Sequence, residues 1–364
     1  MKHLNYSKIK IARKSMRMSM DDLVNKMGDV AISKNSISRI ERGLLRPSVR
    51  TLSAIADACG VPVSFFYEKD INIGNIDFRF DAKTPKKEVE QIKAMVYSEI
   101  QRYFSVEMQV EPDNDNFKSF RKHVVRTYED TENAALYFRK KLEIGCQPIF
   151  SVYELLMNNG VHVIEMDIEN ECVLGLSTFV CKSRPVVIIN VRTNKTVERK
   201  RFTALHELAH LVLKIQPVTG CESEEEIGKY KTLSYKVSVK PSTTERICHH
   251  FASAMLLPKS CLFARLGHVR RKLTLQELIS IRNMYGISIA AIVHRAHDLA
   301  IIDDVEYDNL YDNLINNNIM ETGWGGFPIQ EKADRLKLLE ERIRLEMKEL
   351  KYNKSINRKN YGSI

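Results

Sequence analysis

Apolar residues recur at helical spacing through residues 8–67, and polar punctuation cuts the pattern into short pieces. Ile9, Ala12 and Met16 open the first piece. In SMDDLVNKMG, Ser19 stands where an N-cap belongs, Asp22 follows three residues on, and Gly28 closes the run. SKNSISRIERG repeats the scheme with Ser33 as cap and Gly43 as stop. Pro47 forces a break, and TLSAIADACG makes a further helix that ends at Gly60. Residues 68–84 lose the pattern and read as a linker. Residues 86–109 read as one amphipathic helix with Met95, Tyr97, Tyr103, Phe104 and Met108 in a core. After the acidic loop EPDNDN (111–116) come two helices, DTENAALYFRKKLEIG (130–145) and SVYELLMNNG (151–160). VHVIEM predicts a strand, and the apolar, β-branched run PVVIIN (185–190) predicts a buried one. A helix follows from Thr193 to Lys214. Residues 219–241 are polar, carry ESEEE (222–226), and read as an insertion with strand content in YKVSV. Helices resume at 243–257 and continue to about 350, and the tail 351–364 reads as disordered. The expected fold is mainly α with a small β-sheet, α+β in class.

At 364 residues the chain exceeds one ordinary core, which implies two or three domains. A hydrophobic fraction of 44% and a charged fraction of 28% fit a soluble globular protein. No apolar run approaches the ~18–20 residues of a membrane span, and the first twenty residues lack the apolar stretch of a signal peptide. Seven cysteines, an odd count without C-x-x-C spacing, point to reduced thiols and a cytoplasmic location. The net charge of +10 is uneven: residues 1–50 hold 12 Lys and Arg against 4 Asp and Glu, and residues 331–364 hold 10 against 6. A basic N-terminal module is the electrostatic footprint of a nucleic-acid binder.

FTALHELAHLVL (202–213) carries the strongest chemical signal. Residues four apart on a helix are separated by about 40° around the axis, so His206 and His210 can meet one metal while Glu207 points to its side. Two histidines holding zinc beside a glutamate general base is the zincin arrangement. The helix is otherwise apolar, so Glu207 needs partners that a metal supplies. PVVIIN, just upstream, offers an edge for a substrate peptide by strand addition. A catalytic zinc needs a third protein ligand. The metzincin pattern would require Gly at 213 and His at 216, where the chain has Leu213 and Gln216. TTERICHHFASAMLLP (243–258) supplies Glu245 instead.

RKRFTALHELAH (199–210) followed by ERICHHFASAMLLP (245–258) resembles the ImmA/IrrE family of zinc metallopeptidases. ALYFRKKLEIGCQPIFSVYELLMNNGVHV and VVIIN extend the likeness over about 130–260. The resemblance implies that His206, His210 and Glu245 hold zinc and that Glu207 is catalytic. Cys248 and His249 replace the usual Ala and Asn, and the gap between His210 and Glu245 is long. His249, His250, Tyr230 and Tyr235 are candidate oxyanion or pocket residues. His123, His162 and His268 read as structural.

ISRIERG (37–43), Pro47, Ser48 and TLSAIADACGVPVSFFY (51–67) resemble the Cro/C1-type (XRE) helix-turn-helix family. That resemblance makes Lys34 to Arg42 the recognition helix. Lys34, Asn35, Ser36 and Arg39 become candidates for groove contacts, and Arg42, Arg46 and Arg13 for phosphates, while Ile37 and Ile40 face the core. Met20 departs from the usual Gln. The stretches ETGWGGF and EKADRLKLLEERIRLE loosely resemble the helical extension of proteins that fuse the two modules.

The expected organisation is a DNA-binding domain over 1–67, a linker over 68–84, a zincin-like metallopeptidase domain over 85–258, a helical extension over 259–350 and the tail. The two resemblances imply a DNA-binding regulator with a zinc endopeptidase activity. Its partners would be a double-stranded operator, bound as a homodimer, and a repressor-type helix-turn-helix protein cut to relieve a mobile-element, phage, stress or defence programme. The linker itself is an alternative substrate. A non-catalytic autorepressor or antitoxin, with the peptidase-like domain as sensor or scaffold for a partner toxin, is the alternative of a different class.

Overall fold

The computed structural model of the protein describes residues 3–16, 18–67, 73, 85–111, 123–216 and 243–345. The expected linker apart from Ile73, the polar stretch 219–241 with Tyr230 and Tyr235, and the tail lie outside the described residues. The described residues form two compact units, one from 3–73, 85–111 and 334–345, the other from 123–216 and 243–333. The architecture is mainly α with two small sheets, and no described helix is long and apolar enough to cross a membrane.

In the first unit, side-chain caps set the start of each short helix. Asn5 accepts from the Ser7 amide at the start of α1 (Tyr6–Ser15). Ser19 and Asp22 form a reciprocal capping box on α2 (Met20–Lys26). Ser33 caps α3 (Lys34–Glu41), and Ser48 caps α4 (Val49–Cys59), which ends on left-handed Gly60. Ile9, Leu23, Ile37, Ile40, Leu52 and Ile55 close the core between them. Arg13 departs from its expected phosphate role. Its Nε and Nη2 donate to both Glu41 oxygens at 2.6 and 2.9 Å, and its Nη1 donates to the Met18 carbonyl at 2.8 Å. It is a buried strut between α1 and α3.

Helix α5 (Lys86–Val110) was expected to open the second domain, but it packs on α1 and belongs to the first unit. Its face of Ile92, Val96, Ile100, Tyr103 and Phe104 needs an apolar partner, while Met108 is exposed. Helical residues 335–345 join the same unit, where Arg335 pairs with Glu111 and Arg102 with Glu340, each at 2.6 Å.

In the second unit, β1 (His123–Val125) precedes α6 (Tyr128–Lys141) and α7 (Val152–Asn158). The α6 cap is Thr127, boxed with Asp130, so the helix starts earlier than expected. Strands β2 (His162–Met166), β3 (Gly175–Val180) and β4 (Arg184–Asn190) form a sheet of order β2-β4-β3, with β2 parallel and β3 antiparallel to β4. PVVIIN lies in β4, the central strand, and not at an edge. Its β-branched side chains are buried on both faces, which is why the run is uninterrupted. The edge strand is β3, whose burial alternates. Helix α8 (Val197–Val212), capped by Thr196, runs straight into β5 (Leu213–Ile215), which pairs parallel with β1. Helix α9 (Thr243–Leu256) packs on α6 and α8. The expected extension does not stand apart: α10 (Lys259–Leu266), α11 (Leu275–Tyr285), α12 (Ile289–Asp298) and α13 (Asp304–Leu310) share its core.

Glu331 fastens the end of this unit to α7 and α8. Its Oε1 accepts from the Val152 amide at 2.8 Å and from Arg201 Nη1 at 2.7 Å. Its Oε2 accepts from Ser151 Oγ at 2.7 Å and the Tyr153 amide at 2.9 Å. Both side chains of the Arg201–Glu331 pair are fully buried. Glu331→Ala leaves the guanidinium without its counter-charge and is expected to cost about 3–5 kcal/mol, read by urea unfolding. A loss under about 1 kcal/mol would mean that the loop carbonyls hold Arg201 without it.

Candidate metal centre

Helical spacing puts His206 and His210 on the same side of α8, and α9 brings Glu245 against them. The two Nε2 atoms are 3.1 Å apart. His206 Nε2 lies 3.3 Å from one Glu245 oxygen, and His210 Nε2 lies 3.2 Å from the other. Zinc bonds of roughly 2.0–2.1 Å in a tetrahedron give ligand–ligand edges of about 3.3–3.4 Å, so these atoms already stand near the corners of a zinc site. They are the one such cluster among the described residues. Burial disfavours a charged Glu245, yet the two histidines hold its carboxyl well below the usual carboxylate range. Burial likewise opposes charge on His210, but Cys248 and Glu245 outweigh it and push the imidazole up to about 10. The three donor atoms converge on one point, where a divalent metal would satisfy all of them at once. The residues fit the ion.

Glu207 lines the same cleft as the triad and reaches β3. Its Oε2 accepts from Ser177 Oγ at 2.7 Å. A Cβ at Gly175 would stand 2.9 Å from Glu207 Cγ and 2.8 Å from Thr203 Cγ2, so this strand position admits no side chain while Glu207 keeps its place. Thr203 is held in turn, donating to Asn194 Oδ1 at 2.7 Å, and Asn194 donates to the Leu174 carbonyl at 2.7 Å. Glu207 is thus a buried carboxylate with a fixed direction, open to a cleft of about 580 Å³. The cleft is lined by Gly175 and Ser177 of β3, by Phe202, His249 and Ala290, and by Met320.

The two adjacent histidines of α9 separate, because successive helical residues diverge by about 100°. His249 faces the cleft with its ring 4.6 Å from that of His206. Burial, reinforced by His206, lowers it to about 3, so it stays neutral near pH 7. His250 does not reach the cleft, and its candidacy as a pocket residue is corrected. Its Nε2 lies 2.8 Å from Glu132, its ring stacks on Tyr128 at 4.7 Å, and Arg295 grips the same carboxylate at 2.8 and 2.9 Å. Sequence reasoning missed Gly175 and Ser177; it marked Cys248 as a departure from the usual Ala without giving it a partner, and its thiol, pushed up by burial, lies 3.6 Å from His210 Nδ1. The alternation in GLSTFV was the available signal for the first two.

On the first unit, Lys34, Asn35, Arg39, Arg42 and Arg46 are exposed on and after α3, and Ser36 is half-buried beside its cap. Lys34 pairs with Asp21 of α2 at 2.5 Å. Ile37 and Ile40 turn inward.

Residues 9–66 match a family described as helix-turn-helix, and residues 156–297 match the IrrE N-terminal-like domain. The chain joins a helix-turn-helix domain to an IrrE/ImmA-like domain. No curated protein matches it. Such a chain is a DNA-binding regulator that carries a peptidase-like domain. The second match covers α8 and α9 with the whole His–Glu cluster, and ends before Glu331. The separate placement of His250 has a measurable consequence. His250→Gln is expected to hold as much metal as wild type while losing about 1–3 kcal/mol of stability with the broken buried hydrogen bond. A fall in metal content would return His250 to the centre.

Proposed function

We propose that the second unit is a zinc-dependent endopeptidase and that the first binds operator DNA, so that proteolysis and transcription are controlled by one chain. The observation that carries this reading is the convergence of His206, His210 and Glu245 within hydrogen-bonding distance of one another beside a separately positioned Glu207. His206, His210 and Glu245 would hold the metal, which when bound polarises a carbonyl and acidifies water. Glu207, its carboxylate fixed by Ser177, takes the water's proton and passes it to the leaving amine. His249, neutral and in the cleft, is the described candidate to face the oxyanion. A substrate chain enters the cleft that Gly175 and Ser177 of β3 line beside Glu207. A binding scaffold has no need of a buried glutamate fixed by both a serine and a missing Cβ, and this favours the catalytic reading.

The substrate in this reading is a separate repressor-type helix-turn-helix protein. The linker 68–84 is the weaker choice, because α5 beyond it packs on α1 before it. A nick there would leave the DNA-binding unit assembled. Lys34, Asn35, Ser36 and Arg39 face the major groove and Arg42 a phosphate in this proposal, with two chains on two half-sites.

Metal content by mass spectrometry tests the centre. Near-stoichiometric zinc is expected in wild type and Glu207→Gln, and a clear loss in Glu245→Ala. Mapping new protein N-termini in cells tests the chemistry: cleavage is expected to fall at least about 100-fold in Glu207→Gln. Wild-type protein that takes up no zinc would sink the peptidase reading, and full cleavage by Glu207→Gln would sink the role of Glu207. For the first unit, Arg39→Ala is expected to weaken operator binding by about 1–3 kcal/mol with the fold intact. Unchanged affinity in a gel-shift titration at fixed salt would remove Arg39 from the interface.

A further inference from the structure

Glu245, Cys248 and His249 stand at i, i+3 and i+4 on α9 and so share one face. That face meets the two histidines of α8 residue by residue. Glu245 approaches both, and the His249 ring lies against His206. Cys248 approaches His210, its Sγ 3.6 Å from Nδ1, within the range of a sulfur hydrogen bond. The opposite nitrogen of the same ring, Nε2, faces the donor cluster. The imidazole is therefore held across its two nitrogens, with a buried thiol behind it and the carboxylate in front.

An imidazole that binds metal through Nε2 carries its proton on Nδ1, and that N–H needs an acceptor. A buried donor without one carries the full desolvation cost. His210 has the sulfur of Cys248 in that position. His206 offers the contrast, since its Nδ1 is buried with no hydrogen-bond partner among the described residues. We infer that Cys248 is a positioning residue for His210, its sulfur accepting the Nδ1–H and so fixing the tautomer and ring direction that present Nε2 to the zinc. The inference rests on the zinc reading above. It assigns the thiol no place among the ligands, because Sγ lies on the Nδ1 side of the ring while the three donors converge on the Nε2 side.

Zinc affinity measured by chelator competition tests it without any substrate. Cys248→Ala is expected to weaken zinc about 10- to 100-fold, the usual cost of losing an outer partner of a ligating histidine. Cys248→Ser keeps an acceptor and should fall between Cys248→Ala and wild type. Cys59→Ala, which removes a buried thiol from the first unit, should match wild type. If Cys248→Ala loses its fold by circular dichroism, Cys248→Val keeps bulk without the acceptor and is read in its place. A folded variant lacking the acceptor that binds zinc as tightly as wild type overturns the inference and leaves the metal site standing. Failure of wild type to bind zinc overturns both. Cobalt(II) substitution separates support from ligation: no sulfur-to-metal charge-transfer band is expected, and a band lost in Cys248→Ala would make Cys248 a ligand and overturn the positioning role.

Discussion

The second unit depends on one buried guanidinium. Arg201 has five N–H donors, and each finds an acceptor: the Gly286 carbonyl, the Phe150 carbonyl, Glu331, the Ile149 carbonyl and the Tyr285 carbonyl. Phe327 lies over its plane at 4.3 Å. Burying such a charge is unfavourable unless every donor is met, so the arrangement tolerates little displacement. A Cβ at Gly286 would come within 2.7 Å of Arg201 Nε, and the positive φ there is one that glycine adopts without strain. The turn after α11, the loop before α7 and the chain at 331 are thereby fixed to α8. His206 is five residues along the same helix, so the metal triad inherits a helix that can neither slide nor rotate freely.

The two sides of the site are held by different means. The ligand side is helix against helix: α8 offers positions four apart, and α9 answers with Glu245, Cys248 and His249. The base side is helix against strand. Glu207 leaves α8 in another direction and ends on β3, where a glycine makes room and a serine donates. The strand that lines the cleft is thus the same strand that fixes the direction of Glu207.

The features that could be read from the sequence were local. Helix caps at Ser19 and Ser33 follow from spacing within one turn, as does the pairing of His206 with His210. The features that could not be read depend on what lies across a gap in the chain. Arg13 looks like any basic residue of a DNA-binding domain until Glu41 closes on it. PVVIIN reads correctly as buried, but burial on both faces is what makes it central, and its neighbours in the sheet are set by topology. His249 and His250 are alike in sequence, and their roles separate only because Glu132 and Arg295 wait on one side and His206 on the other. Helix α5 is amphipathic by inspection, yet the pattern does not say which core its apolar face will join.

The order of segments bears on regulation. The first unit is assembled from separate stretches of the described chain, 3–73, 85–111 and 334–345, and the second holds 123–216 and 243–333. A single cut between α4 and α5 would not separate the packed helices α1 and α5. The chain passes from the second unit to the first at 333–334, two residues after Glu331, whose carboxylate is tied to Arg201 and the start of α7. In the proposed peptidase reading, the packing of α5 on α1 is therefore the physical argument for a separate substrate over the chain's own linker.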